Sequence, residues 1–211
     1  MRSVREKSVA AAVLAAGLAA GAAQAQTIVD EWASVKAPPA PELKRVNVDP
    51  KTTALLLLDF VKQICNPGPR PRCVASLPKV KHLLTVARAK GAAVVYSLAG
   101  NFTAADIWPE VAPAAGEPAV SSGPDKFLNT DLERILREKG IKTVIVTGVA
   151  AEGAVLNTAS QAALRGFKVV VPVDGMSSST LYAEQYTAWH LVDAPRISLQ
   201  VTLTRSDEVT F

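Results

Sequence analysis

Lys142-Thr-Val-Ile-Val-Thr-Gly-Val-Ala-Ala-Glu-Gly-Ala-Val-Leu-Asn-Thr-Ala-Ser160 decides how the rest of the chain is read. Val144, Ile145 and Val146 form a continuous β-branched run, the pattern of a strand covered on both faces. Gly148 breaks that run. From about Glu152 onward, Val155, Thr158, Ala159, Ala162 and Ala163 recur at helical spacing. The junction between them is built from small residues: Gly148, Ala150, Ala151, Gly153 and Ala154. Small side chains let a ligand approach the unpaired N–H groups of a helix start, and ligand sites in open α/β sheets lie at such strand ends. The alternative is a tight turn that only has to pack.

Outward from this stretch, strands and helices alternate. Thr53-Ala-Leu-Leu-Leu-Leu-Asp59-Phe60 is a buried strand ending in a carboxylate. Residues 78–89 form a helix, Ala92 to Ser97 a strand, and residues 100–120 a loop rich in proline and glycine. Thr130-Asp-Leu-Glu133 has the form of a capping box. A strand over Val169 to Asp174, a helix over residues 180–193 and an alternating edge strand over Leu199 to Thr204 complete the chain. This alternation predicts an α/β fold: a doubly wound, mostly parallel sheet of about six strands with helices on both faces, three-layered and Rossmann-like. If the first strands run outward one way and the strand at 142 starts the other way, Asp59 and the 148–154 turn meet at the topological switch point.

Residues 1–25 have the form of a secretory signal. Arg2, Arg5 and Lys7 precede an alanine-rich apolar run from Val9 to Ala22, and Ala23-Gln24-Ala25 fits a small-x-small cleavage site before Gln26. The apolar run is short for a membrane span. The predicted organisation is a signal peptide at 1–25, an extended arm at 26–51 and a folded domain at 52–211. The mature protein is expected to be periplasmic or secreted and off the membrane. The formal net charge is +4, and the signal carries a net two of those positive charges. No basic stripe with interleaved aromatics appears, so nucleic acid is not an expected partner. His82 and His190 are the only histidines, and nothing has metal-ligand spacing. With neither GxGxxG nor Walker motif, no cofactor is expected.

Cys65 and Cys73 are the only cysteines, and they flank Asn66-Pro-Gly-Pro-Arg-Pro-Arg72. In an oxidising compartment a lone close pair is most simply a disulfide closing a turning loop. A reactive thiol is the competing reading, and it lacks the strand end or helix start that would stabilise a thiolate.

Leu55-Leu-Leu-Leu-Asp59, Phe127-Leu-Asn-Thr-Asp-Leu132 and Val146-Thr-Gly-Val-Ala-Ala-Glu-Gly-Ala-Val155 together resemble the isochorismatase-like cysteine hydrolases. The resemblance covers about residues 52–205. It implies an oligomer, here a homo-oligomer, with the site near a subunit interface. It also implies hydrolysis of a small amide, an N-carbamoyl compound or a vinyl ether. By that resemblance Asp59 is the general acid/base. The family's nucleophilic cysteine falls on Ala154, which cannot attack a carbonyl. The family's lysine falls by ungapped counting on Ser121. Lys126 lies nearby as the candidate to reach the site, or else it is a solvated surface residue. Phe60, Ala150, Ala151 and Gly153 are expected against the substrate. The family's cis peptide would match Ala150–Ala151. Glu152 and Asp174 are lesser acid candidates. Two functions compete: a thiol-independent hydrolase, and an inactive family member serving as a small-molecule-binding or interaction module.

The exported protein is expected to begin at Gln26 and to contain a Cys65–Cys73 bond. Intact mass and alkylation before and after reduction measure both. Two thiols alkylated without reduction would be incompatible with the bond.

Overall fold

The computed structural model describes residues 27–211; the expected signal segment and the expected start at Gln26 lie outside the described residues. The described residues fall into two units, divided between residues 37 and 38. In the first, α1 (Ile28–Glu31) is a single helical turn whose Thr27 hydroxyl and N–H both donate to Asp30. No described helix is long and apolar enough to cross a membrane.

The second unit is a three-layer α/β structure. Its elements in order are β1 (Val46–Asn47), β2 (Thr53–Leu58), α2 (Pro71–Ala89), β3 (Ala93–Leu98), β4 (Ala119–Ser121), α3 (Leu132–Glu138), β5 (Thr143–Val149), α4 (Leu156–Leu164), β6 (Lys168–Pro172), β7 (Met176–Ser177), α5 (Leu181–Asp193), β8 (Val201–Thr204) and β9 (Val209–Thr210). The main sheet has seven strands in the order β4-β3-β2-β5-β6-β8, with β7 paired to β5. All of its strand pairs are parallel. From β2 the chain winds outward through β3 to β4, and from β5 it winds the other way. The order therefore reverses between β2 and β5, as the sequence predicts.

The apolar run of β2 explains the two outer layers. Successive side chains of a strand point to opposite faces. Leu55 and Leu57 join one core cluster with Leu77, Val80, Leu83 and Leu84 of α2. Ala54, Leu56 and Leu58 join the other, with Leu132 and Leu136 of α3, Ala159 and Ala162 of α4, and Leu191 of α5. Each fully buried leucine contributes roughly 1.5–3 kcal/mol, so a strand buried on both faces holds both layers.

Several local expectations need correction. Helix α2 starts at Pro71, seven residues before residue 78, so Cys73 lies in its first turn. Proline is suited to that first position, where its missing N–H is no loss. Pro78 is accommodated inside the helix. The 100–120 segment contains strand β4, paired to β3 through Tyr96↔Ala119 and Leu98↔Ser121. The turn before β4 is tied down by Arg88 of α2, which forks onto Glu117 and also reaches the Tyr96 hydroxyl and the Ala112 carbonyl. The capping box at 130–133 does not form. Asp131 is the N-cap without a side-chain cap, because the Thr130 hydroxyl is engaged by the Lys126 carbonyl and the Leu132 N–H. Gly148 does not end the central strand but lies within it, opposite Leu58.

That pairing explains the glycine. At Gly148, with φ of +150°, a Cβ would lie 2.5 Å from Leu58 Cβ and 2.6 Å from the Leu58 carbonyl oxygen. Both atoms belong to the neighbouring strand at the switch point and cannot move independently of it. Gly148→Ala is expected to lower stability by about 2 kcal/mol or more through strain and overpacking. Urea denaturation should show a lower midpoint at unchanged slope.

Candidate active site

Asp59 follows the last residue of β2 and turns out of the sheet with φ of 58°. Its N–H donates to the Ser97 carbonyl at 3.2 Å, and its Oδ1 accepts from the Ser97 hydroxyl at 2.7 Å. Ser97 stands opposite Leu58 in register, so the β2–β3 ladder delivers it to the carboxylate. Oδ2 accepts from Lys126 Nζ at 2.7 Å. Lys126 is 0% exposed and Asp59 5%.

Lys126 is therefore brought into the site, although it adjoins Phe127. Its backbone is fixed from two sides. Its N–H donates to Thr158 Oγ1 of α4 at 3.3 Å, and its carbonyl accepts from Thr130. With both backbone groups held, the side chain runs inward, where Nζ also donates to the Ser122 carbonyl at 3.3 Å. The Phe-x-x-Thr pattern has a physical content here: Phe127 packs in the core beside Phe167, and Thr130 orients the residue before it.

Beyond β5 the chain passes through a cis Val149–Ala150 peptide, one bond earlier than expected. Strand β5 keeps its register through Val149, which pairs with Ser177, so the departure from the sheet falls at that bond. A π-helical turn, Ala151–Val155, leads into α4. The N–H groups of Gly153 and Val155 both reach the Ala150 carbonyl.

Asp59 and this turn share a cavity of about 570 Å³ whose lining includes Ile64, Arg70, Gly100, Ser121, Ser122, Pro124, Val149, Ala150, Gly153 and Ala154. Phe60 does not line it. Phe60 is 1% exposed and packs in the α2-side core, because the positive φ of Asp59 breaks the strand's alternation and turns Phe60 to the face opposite Leu58. Ala151 is likewise buried and outside the lining. Glu152 is exposed. Asp174 is engaged elsewhere, accepting from Ser206 and pairing with Lys79 at 3.3 Å. Cys65 and Cys73 form a disulfide with Cα atoms 5.3 Å apart. They are the only cysteines, so the folded chain holds no thiol. No group of three metal-ligating side chains exists among the described residues.

Sequence reasoning missed Ser97 and Arg70. A serine ending the strand after the aspartate's strand is the signal for Ser97. Arg70 has none beyond its place inside the cysteine loop.

The family model of the isochorismatase domain matches residues 53–202. The chain belongs to the isochorismatase family. Within that family, it is 34% identical over 113 residues to a secreted isochorismatase effector of Verticillium dahliae, covering 48% of this chain and 60% of that protein. It is 27% identical over 146 residues to maleamate amidohydrolase of Pseudomonas putida, covering 56% and 68%. It is 26% identical over 171 residues to N-carbamoylsarcosine amidase of Arthrobacter, covering 66% and 64%. The chain thus spans less than two thirds of the Verticillium effector's length. Among solved structures, an isochorismatase of Pseudomonas putida superposes with a TM-score of 0.69 at 17% identity, covering 79% of this chain and 94% of that one. N-carbamoylsarcosine amidase of Thermoplasma acidophilum gives a TM-score of 0.64 at 22% identity, with 74% and 97% covered. These structural likenesses establish the isochorismatase-like fold.

In this isochorismatase-family site, removing one partner of the buried pair leaves the other charge without compensation. Lys126→Met is expected to cost roughly 3–5 kcal/mol, and adding Asp59→Asn to it should restore much of that loss. Denaturant titration of the two single variants and the double variant measures the coupling.

Proposed function

We propose that the chain is an exported hydrolase for a small amide, carbamoyl or ether-type substrate. In this reading Asp59 is the acid/base, Ala154 stands at the position of the family's nucleophile, and water is the attacking group. The observation that carries it is the buried Asp59–Lys126 pair at an open cavity. Desolvation offsets most of the attraction in a buried ion pair, so an apolar pair would serve the core as well. Paired titratable groups in a cleft are instead suited to moving protons. The names of two relatives, maleamate amidohydrolase and N-carbamoylsarcosine amidase, support an amide or carbamoyl substrate. The secreted effector relative and the disulfide support export.

In the proposed reaction Asp59 takes a proton from water, and the hydroxide adds to the carbonyl carbon above the 150–154 turn. As the C–N bond breaks, the protonated Asp59 gives that proton to the departing nitrogen, while the buried Lys126 ammonium stabilises the carboxylate that is left. For an ether-type substrate the order is reversed: the pair protonates the substrate first, and water then adds. The absence of a nucleophile at Ala154 favours a second reading, a binding module in which catalysis is lost.

A panel of small amides, N-carbamoyl compounds and enol ethers separates the two. Asp59→Asn keeps an oxygen for Lys126 but cannot carry the proton, and it is expected to lower turnover by about 10²–10⁴-fold in folded protein. Thiol-alkylating reagents should leave wild-type turnover unchanged. Turnover that survives Asp59→Asn rules out the acid/base role. No wild-type turnover, together with tight binding of a panel compound, selects the binding module.

A further inference from the structure

The Asp59–Lys126 pair balances its own charge, so the electrostatic character of the cavity is set by what else lines it. Arg70 is the one other charged residue of the lining. It comes from the Cys65–Cys73 loop, not from a strand end. Its Nη1 donates to the Ile64 carbonyl at 3.3 Å, which commits one side of the guanidinium to the protein. Its Nε is closed off from bulk water and has no acceptor among the described residues. A buried donor without an acceptor is costly in folded proteins, so an Nε held this way at the cavity is left free for a partner that is not part of the fold.

The geometry of the guanidinium narrows that partner. Its N–H groups form a rigid planar fork, and with Nη1 engaged the Nε–Nη2 edge remains. Such an edge matches the two oxygens of a carboxylate. The loop that carries it is fixed at several points. Arg70 N–H donates to the Asn66 carbonyl at 2.8 Å, Gly68 N–H to Asn66 Oδ1 at 2.9 Å, and Trp108 Nε1–H to the Cys65 carbonyl at 2.7 Å. The disulfide closes both ends. An arginine already held in place loses little freedom when it binds, which raises the affinity it can give. Arg72, two residues on, cannot serve the same purpose, because Glu184 occupies its fork.

We infer that Arg70 anchors a carboxylate of the ligand, so that the site selects small anionic compounds bearing a carboxylate a short distance from the group presented to Asp59. The choice of that second group as one to be cleaved rests on the hydrolase reading; the anchoring does not.

Succinamate and succinamide are matched probes, of equal length and each with an amide, differing in a carboxylate at the other end. Calorimetric titration of the full disulfide-bonded protein is expected to show succinamate binding roughly tenfold or more tightly than succinamide. Arg70→Gln should bring the two within about twofold. Arg70→Lys, which keeps the charge without the fork, should fall between. Arg72→Gln should leave the discrimination as in wild type. Thermal melts of each variant verify that it is folded. Equal binding of the two probes by wild type, binding of neither, or discrimination that survives Arg70→Gln overturns the inference. Discrimination without any turnover across the substrate panel upholds Arg70 and removes the hydrolase reading. Turnover without discrimination does the reverse.

Discussion

A lysine ammonium with no exposure to solvent can exist in a fold only if a counter-charge meets it, and in this chain Asp59 does so at 2.7 Å. Much of the surrounding structure serves that meeting. Strand β2 must end at Asp59, and β3 must lie beside it in a register that brings Ser97 to the second carboxylate oxygen. Helix α4 must place Thr158 under the Lys126 N–H, and Thr130 must turn from helix capping to hold the Lys126 carbonyl. Gly148 must let β5 approach Leu58 closely enough for the cavity to open at the sheet's switch point. These contacts join segments far apart in sequence, so the pair forms only when the central sheet and the outer layer that carries α4 are in place.

The division between what the sequence disclosed and what it hid follows the same line. The buried runs at 53–58 and 143–149 were legible because a strand covered on both faces leaves continuous apolar sequence. The switch point followed from their order, and Asp59 from its place at the end of the first run. Lys126 was harder, because its inward path depends on two threonines, one of them on a helix more than thirty residues away. Ser97 was hidden for a similar reason: its importance comes from register across a strand pair, which single-strand patterns do not carry. The early start of α2 was obscured by the prolines of the cysteine loop, since Pro71 reads equally as a turn residue and as a first helical residue. Phe60 was misassigned because the left-handed turn at Asp59 breaks the strand's alternation, which the run of apolar residues does not reveal.

Two different kinds of support surround the cavity. Asp59, Ser97 and the 150–154 turn stand on the ends of central strands, the most deeply packed part of the molecule. Arg70 stands on a loop outside the sheet, held by a covalent bond and a tryptophan. The buried carboxylate thus comes from the shared scaffold and the uncompensated positive charge from an attachment to it. A loop of this kind can change length and sequence without disturbing β2 or β5, so the charge lining the cavity and the ion pair at the strand ends can diverge independently in such a fold.

The disulfide has one more consequence when taken with the composition of the site. Because both cysteines are joined and Ala154 carries only a methyl group, no sulfur in the cavity can climb the series from sulfenic to sulfinic to sulfonic acid. A cleft that depends on a thiolate is a target for every peroxide that reaches it, and the more nucleophilic the thiolate the faster it is lost. Here the polar groups at the cavity are a carboxylate, hydroxyls, a guanidinium and backbone amides, with an ammonium behind them, all indifferent to such oxidants. The same oxidising conditions that would silence a thiol-dependent cleft keep the Cys65–Cys73 bond closed, and with it the loop that carries Arg70.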